Sequence, residues 1–368
     1  MTRMTADERL RDGSLLEERI QTLLKPSVRK IDCEAYYPLD YMTALGRDGF
    51  FRSEGERAQE VRMAGVRIVE ETAAACMTTA FNVWCHLAAL TYVRHSGNAA
   101  LRRTLLPGLE NGELRGGTGL SNPMKFYAGI DKLYLKAERE GGGYRVSGQL
   151  PMVSNLGEGH WFATVSETAG GERIMAFFPV GAEGLRLEER LGFLGLNGSA
   201  TYSCSFDRVS VPEEWIVSES ADEFVARVRP EFVLYQIPLG LGVTAAAIRS
   251  IRQAKEKQGG CNGLLPVQPE QLERELERLR EATYRLASQL EEVSAWKALL
   301  RVRLDTVYLT LQAVQANMLH QGSAGYVQTS APSRRLREAY FFANLTPTVR
   351  HLEKLLAAQS LPVDESLL

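Results

Sequence analysis

Residues 134–147 read YLKAEREGGGYRVS. Tyr134 to Glu138 alternates, Gly141-Gly142-Gly143 turns, and Tyr144 to Ser147 alternates again. A period of two on both sides of a glycine turn predicts a β-hairpin, because successive strand side chains point to opposite faces. The same texture runs from about 116 to 216. Trp161–Ser166 and Ile174–Pro179 are short apolar or alternating runs, and in 201–206 the side chains of Tyr202, Cys204 and Phe206 share one face. Short strands with frequent glycines predict a small antiparallel barrel or sandwich.

On either side the period changes to that of helices. Segments 7–24, 38–48, 56–70 and 73–93 have helical spacing or composition, and Leu106-Pro107 and Asn111-Gly112 then break the chain. The stretch 73–93 carries no charge. Its threonines, Asn82, His86 and small alanines favour a helix buried inside a helical domain over a membrane span. After about 218, Leu272, Leu276, Leu279, Thr283, Leu286, Leu290 and Val293 form one seam, and Leu300, Leu304, Val307, Leu311, Val314 and Met318 form another. Steps of four and three mark long helices packed at a shallow angle, and segments 232–255 and 335–358 supply two partners. The fold class expected is α+β multidomain. It comprises an all-helical domain (1–115), an antiparallel β-barrel domain (116–217) and a four-helix bundle (218–368).

The net charge of −2 gives no pull toward nucleic acid or an anionic membrane. The cysteines Cys33, Cys76, Cys85, Cys204 and Cys261 are odd in number and contain no C-x-x-C pair, and the histidines lack ligand spacing. A reducing cytoplasm, without disulfide framework or metal site, is therefore expected. The first eleven residues are charged and lack a signal-peptide apolar core.

Five places, in order, resemble the acyl-CoA dehydrogenase superfamily. They are Leu106-Pro107 with Asn111-Gly112-Glu113; Gly119-Leu120-Ser121-Asn122-Pro123; Tyr144-Arg145-Val146-Ser147-Gly148 with Met152-Val153-Ser154-Asn155; Phe206 to Pro212; and Gly322-Ser323-Ala324-Gly325-Tyr326 with Arg337-Glu338-Ala339. The resemblance implies an FAD-dependent oxidoreductase whose flavin ring lies between the β domain and the C-terminal helices. It implies cofactor contacts from Leu120 and Ser121 at the pyrimidine edge and from Val153 and Ser154 near N5. Gly322 and Ser323 would serve the adenosine diphosphate half from a neighbouring subunit of a homodimer or homotetramer, and Thr348 and Arg350 would make polar contacts with FAD. The implied reaction is α,β-desaturation of an acyl thioester carried by CoA or a carrier protein. Electrons would pass to a transfer partner or to oxygen.

The sequence departs from that pattern at the base. The usual carboxylate position, nine residues after Arg337, holds Thr346, which cannot take a proton at neutral pH. Some relatives draw the carboxylate from the first long C-terminal helix. There Arg229-Pro230-Glu231-Phe232 reads as a helix start, with Glu231 within about one residue of the alternative position. After Pro123 the chain has Met124-Lys125-Phe126-Tyr127 where the family has polar groups beside the pantetheine arm, and 256–269 lacks an FAD-contacting pattern. These gaps leave open a flavin-dependent monooxygenase performing N- or S-hydroxylation on the same scaffold, which needs no α-proton base. A scaffold protein that has lost its site is also open.

Overall fold

The computed structural model describes residues 13–255, 258–291 and 295–358. Six α-helices come first: α1 (Gly13–Arg19), α2 (Val28–Cys33), α3 (Leu39–Arg47), α4 (Ala58–Ala75), α5 (Met77–His95) and α6 (Ala99–Glu110). Residues 7–12 of the first expected helix lie outside the described residues. Local chemistry sets the starts. Glu60 accepts from Arg57 N at 3.0 Å to open α4, and Asn98 accepts from Ala100 N and Leu101 N to open α6.

The uncharged stretch splits at the extended Cys76, with residues 73–75 ending α4 and the rest in α5, which is buried at every residue from Met77 to Val93. It is apolar all round because protein surrounds it on all sides. Ala221–Ala254 is also long and apolar enough by composition to cross a membrane, and 94% of its most apolar window is buried within the protein.

Eight strands follow: β1 (Arg115–Thr118), β2 (Leu135–Glu140), β3 (Gly143–Val153), β4 (His160–Thr168), β5 (Arg173–Pro179), β6 (Leu185–Glu189), β7 (Tyr202–Val211) and β8 (Ile216–Ser218). A short helix α7 (Ser121–Tyr127) lies between β1 and β2. The expected hairpin is β2–β3, paired antiparallel from Leu135↔Gly148 to Glu140↔Gly143. The sheet order is β6-β7-β3-β2-β4-β5-β8, with β1 added on β4. Two expectations are corrected here. The sheet is only mostly antiparallel, since β4 runs parallel to both β1 and β2. It is also not a closed barrel, because β6 and β8 end the order without pairing. At one end of that order β8 has only three residues.

Strands β4 and β5 are buried on both faces. Phe162, Ile174, Ala176 and Phe178 fill the sheet's own core. Ala163, Val165, Met175 and Phe177 point the other way, into the helical core. The period of two thus joins the sheet to the helices.

Six helices complete the described chain: α8 (Ala221–Leu234), α9 (Ile237–Ala254), α10 (Pro269–Ser288), α11 (Ala295–Gln321), α12 (Ala331–Asn344) and α13 (Val349–Ala358). Here α9 packs on α10, α11 and α12, and α11 packs on α10, α12 and α13. Six helices stand where four were expected, and α4 from the N-terminal half also lies along α9. The seams hold in part. Leu272, Leu276, Leu279, Thr283, Leu300, Leu304, Val307 and Val314 are buried, whereas Leu286, Leu311 and Met318 are partly exposed. Leu290 follows the end of α10, and Val293 lies outside the described residues.

The α4–α9 contact depends on Gly242. A Cβ there would lie 2.3 Å from the Glu70 carbonyl oxygen and 2.8 Å from Ala74 N, both backbone atoms. Gly242→Ala is therefore expected to destabilise by about 2–3 kcal/mol through overpacking. A urea midpoint within error of wild type would contradict this account of the contact.

Candidate functional site

A cavity of about 360 Å³ opens between the sheet, α5 and α12. Phe81, Trp84 and Cys85 reach it from α5, spaced as one helix face. Thr118 ends β1 and Ser121 opens α7 beside it. Met152 and Ser154 come from the end of β3. Residues 193–201 form a loop across one side. On α12, Arg337, Tyr340, Phe341 and Asn344 recur at i, i+3, i+4 and i+7, and Leu345 and Thr346 follow.

The backbone brings the hydroxyls together. Thr118 pairs with Ser154 as an isolated bridge. Gly117 permits this approach, since a Cβ there would lie 2.9 Å from the Ser154 carbonyl oxygen. Asn155 holds the bend with φ of 62°. Its amide donates to Gly116 O at 2.8 Å, and its side-chain oxygen accepts from Tyr37 OH at 2.7 Å. Asparagine tolerates that left-handed conformation better than most residues. Ser154 Oγ lies 2.7 Å from Thr201 Oγ1, which lies 2.8 Å from Ser199 Oγ. Ser121 Oγ and Thr346 Oγ1 are 3.0 Å apart.

The remaining walls are mainly apolar and aromatic, with Phe81, Trp84, Phe193, Phe232 and Phe341 among them. Trp84 is fixed by donating to Phe232 O at 3.0 Å. Among the described residues lining the cavity there is no Asp, Glu, His or Lys. Arg337 is charged but engaged, with both terminal nitrogens 2.7 Å from the Asp32 carboxylate. Those hydrogen bonds raise its pKa further. Burial pushes the Cys85 thiol well above its ordinary range, so it stays protonated.

The residues expected at the site separate into two groups. Ser121, Ser154 and Thr346 line the cavity, and Leu120 and Val153 are buried next to the two serines. Gly322 and Ser323 do not line it. They form an exposed turn beyond α11, roughly 28 Å along that helix from Arg303 at 1.5 Å per residue. Thr348 Oγ1 accepts from His351 N at 3.3 Å, and Arg350 is exposed on α13.

Glu231 does not line the cavity either. Its carboxylate accepts from Thr91 Oγ1 at 2.7 Å and Tyr235 OH at 3.2 Å, inside the helical core. Pro230 does not open a helix but sits within α8, four residues before its end. The reading of 229–232 as a helix start is thereby overturned. The helix starts earlier, at Ala221, its first backbone hydrogen bond running from Phe224 N to Ser220 O.

Sequence reasoning missed Thr118, Thr201 and the aromatic wall. Thr118 stands two residues before the quoted Leu120-Ser121 motif. The glycine-broken apolar run Phe193 to Ala200 was a signal for a loop, and its Leu196 and Ala200 both have positive φ. Phe81 and Trp84 were hidden in a stretch legible only as a buried helix.

The chain matches known proteins along these lines. Residues 13–113 match the family described as "Acyl-CoA dehydrogenase, N-terminal domain". A glutaryl-CoA dehydrogenase of Desulfococcus multivorans is 26% identical over 216 residues, covering 54% of each chain, so the match spans about half of that relative's length. Among solved structures, a glutaryl-coenzyme A dehydrogenase in complex with glutaryl-CoA aligns with a TM-score of 0.85 at 19% identity, covering 98% of this chain and 96% of that one. Butyryl-CoA dehydrogenase from Megasphaera elsdenii aligns at 0.82 and 16%, covering 98% and 100%. KijD3, solved with FMN and a dTDP-linked amino-keto sugar, aligns at 0.80 and 18%, covering 98% and 95%. Residues 13–113 thus match the acyl-CoA dehydrogenase N-terminal domain family, and the chain as a whole shares the fold of the solved acyl-CoA dehydrogenases.

Proposed function

We propose that the protein is a flavin-dependent oxidoreductase whose substrate chemistry uses no carboxylate base, and that it acts as a flavin-dependent monooxygenase. The observation that carries this reading is the cavity wall. Thr346 stands at the usual base position, Glu231 is turned into the core, and no acidic side chain lines the cavity among the described residues. Abstraction of an α-proton needs a base within hydrogen-bond reach. Oxygenation through reduced flavin does not.

The residues present fit a flavin ring. Such a ring needs donors and acceptors along one edge and apolar contact on its faces. Ser121, Ser154 and Thr201 offer the first, and the aromatic wall offers the second. When bound, FAD would supply the electron transfer and the activation of oxygen. The protein's part is to orient the ring with these hydroxyls and to exclude water with Phe81, Trp84 and Phe341.

Gly322 and Ser323, with Thr348 and Arg350, would meet the adenosine diphosphate half of FAD from a second copy of the chain, in a dimer or tetramer. Supporting this, Tyr326 is 85% exposed beside that turn, as a surface awaiting a partner would be. The five cysteines are unpaired, which suits a cytoplasmic setting.

A second reading, α,β-desaturation of an acyl thioester with an electron-transferring partner, is favoured by the likeness to a glutaryl-CoA complex. Anaerobic titration of the FAD-loaded protein with acyl-CoA thioesters separates the two. The expected result is no bleaching of the oxidised flavin band by any thioester, with fast oxygen-dependent reoxidation after reduction by a supplied reductant. Stoichiometric bleaching by one thioester would return the protein to the dehydrogenases.

A further inference from the structure

Arg303 lies on α11 and is completely buried. Its Nε donates to Gln236 Oε1 at 3.1 Å and its Nη2 donates to Phe342 O at 3.0 Å. Nη1 has no partner. The guanidinium stacks 3.7 Å above the Phe342 ring centre. Burial pulls its pKa down, to about 9, and among the described residues no carboxylate pairs with it. The group thus remains a cation at neutral pH.

Gln236, also fully buried, passes the interaction on. Its amide nitrogen donates to Thr346 O at 2.9 Å. Thr346 is the cavity residue whose hydroxyl meets Ser121. Phe341 and Leu345, flanking the segment that Arg303 holds, line the same cavity. A continuous path of hydrogen bonds therefore runs from an unpaired buried charge to the cavity wall.

An unpaired buried charge is costly, and a methionine would fill similar volume without that cost. Its field is also strong, because little water lies near to screen it. We propose that Arg303 is a positioning residue that holds Thr346 in place through Gln236, and that its uncompensated charge biases the cavity toward an anionic occupant, the reduced flavin. This inference rests on the flavin reading of the site given above.

The test is the midpoint potential of FAD bound to wild type, Arg303→Met and Gln236→Glu. Thermal melting of each loaded protein is followed as a control. Arg303→Met removes the charge. Gln236→Glu keeps the volume, neutralises the charge with a carboxylate and gives up the donation to Thr346 O, so it removes both parts of the proposed role if the first variant does not fold. Each is expected to lower the ratio of reduced to oxidised flavin at fixed poise about tenfold, about 30 mV for a two-electron couple. A merely structural arginine would change melting and leave the potential alone. A flavin-loaded Arg303→Met or Gln236→Glu protein with wild-type potential overturns this inference and spares the flavin reading. A wild-type chain that takes up no flavin overturns both.

Discussion

Arg334→Met is expected to lower the unfolding free energy by about 3–5 kcal/mol, because it leaves one buried carboxylate without its cation. Arg334 and Glu338 are an i, i+4 pair on α12, 7% and 1% exposed, with Nη1 to Oε1 at 2.9 Å. The same Oε1 accepts from Met77 N at 3.1 Å, at the first turn of α5. Glu338 therefore caps a helix that has no side-chain cap of its own. Arg334 Nη2 also donates to Ala75 O at 3.0 Å, closing the end of α4. One ion pair thus ties α12 to the junction of α4 and α5. Burial raises the Glu338 pKa, and Arg334 opposes that rise. Without Arg334 the carboxyl shifts toward its neutral form, and the α5 N-terminus loses a charged acceptor. Arg334→Met combined with Glu338→Leu is expected to recover much of the loss, since neither charge is then stranded. Urea titration of the single and double variants measures this. A single-variant loss below about 1 kcal/mol would be inconsistent with a buried, coupled pair.

The second large effect is acid lability. His86 is fully buried between Leu109 O and Gly116 N, each 3.0 Å away. Gly116 N donates to Nδ1, so Nε2 carries the single proton. Burial holds its pKa down to about 3. His160 accepts from Arg115 Nε at 3.0 Å, and its Nδ1 donates to Asn155 O at 2.8 Å. Burial holds its pKa down to about 4. Both values lie below 6.5, so the unfolded chain takes up these protons first. The stability from the neutral rings is full above about pH 6.5 and is lost as the pH falls through the window from there toward 4 and 3. Between pH 6.5 and 5 each histidine is expected to cost about 2 kcal/mol. Comparing urea midpoints at pH 8 and pH 5 tests this, and His160→Gln should remove about a third of the difference, because buried His351, also held down to about 4, contributes alongside His86. A pH dependence identical in wild type and variant would show that His160 is not neutral in the fold. The proton enters at Nε2, so acid breaks the donation from Arg115 Nε and leaves the Nδ1 hydrogen bond to Asn155 O in place.

Much of the architecture was legible because it rests on short-range periodicity. The glycine turn at 141–143, flanked by alternating residues, could hardly form anything but a hairpin, and β2–β3 is one. The charge-free stretch around Trp84 could only be a surrounded helix once its threonines and Asn82 argued against lipid. Closure of the sheet was not legible. It depends on which strands pair, β4 running parallel to both β1 and β2, which no local period encodes. Likewise Pro230 is compatible with a first turn or with a helix interior, and packing against α5 decided for the interior.

The sequence by itself determined the order of helices, sheet and helices and the buried character of α5; the resemblance singled out Ser121, Ser154 and Thr346, and the fold is what gathers them on one cavity. Only the tertiary structure decided that Glu231 faces Thr91 and Tyr235 instead of the cavity, and that Arg303 stands behind the wall without a counter-ion. Side-chain direction on a helix depends on what packs against each face. Apart from Tyr235, four positions on from Glu231, the partners of these two residues come from segments that are tens to more than a hundred positions away.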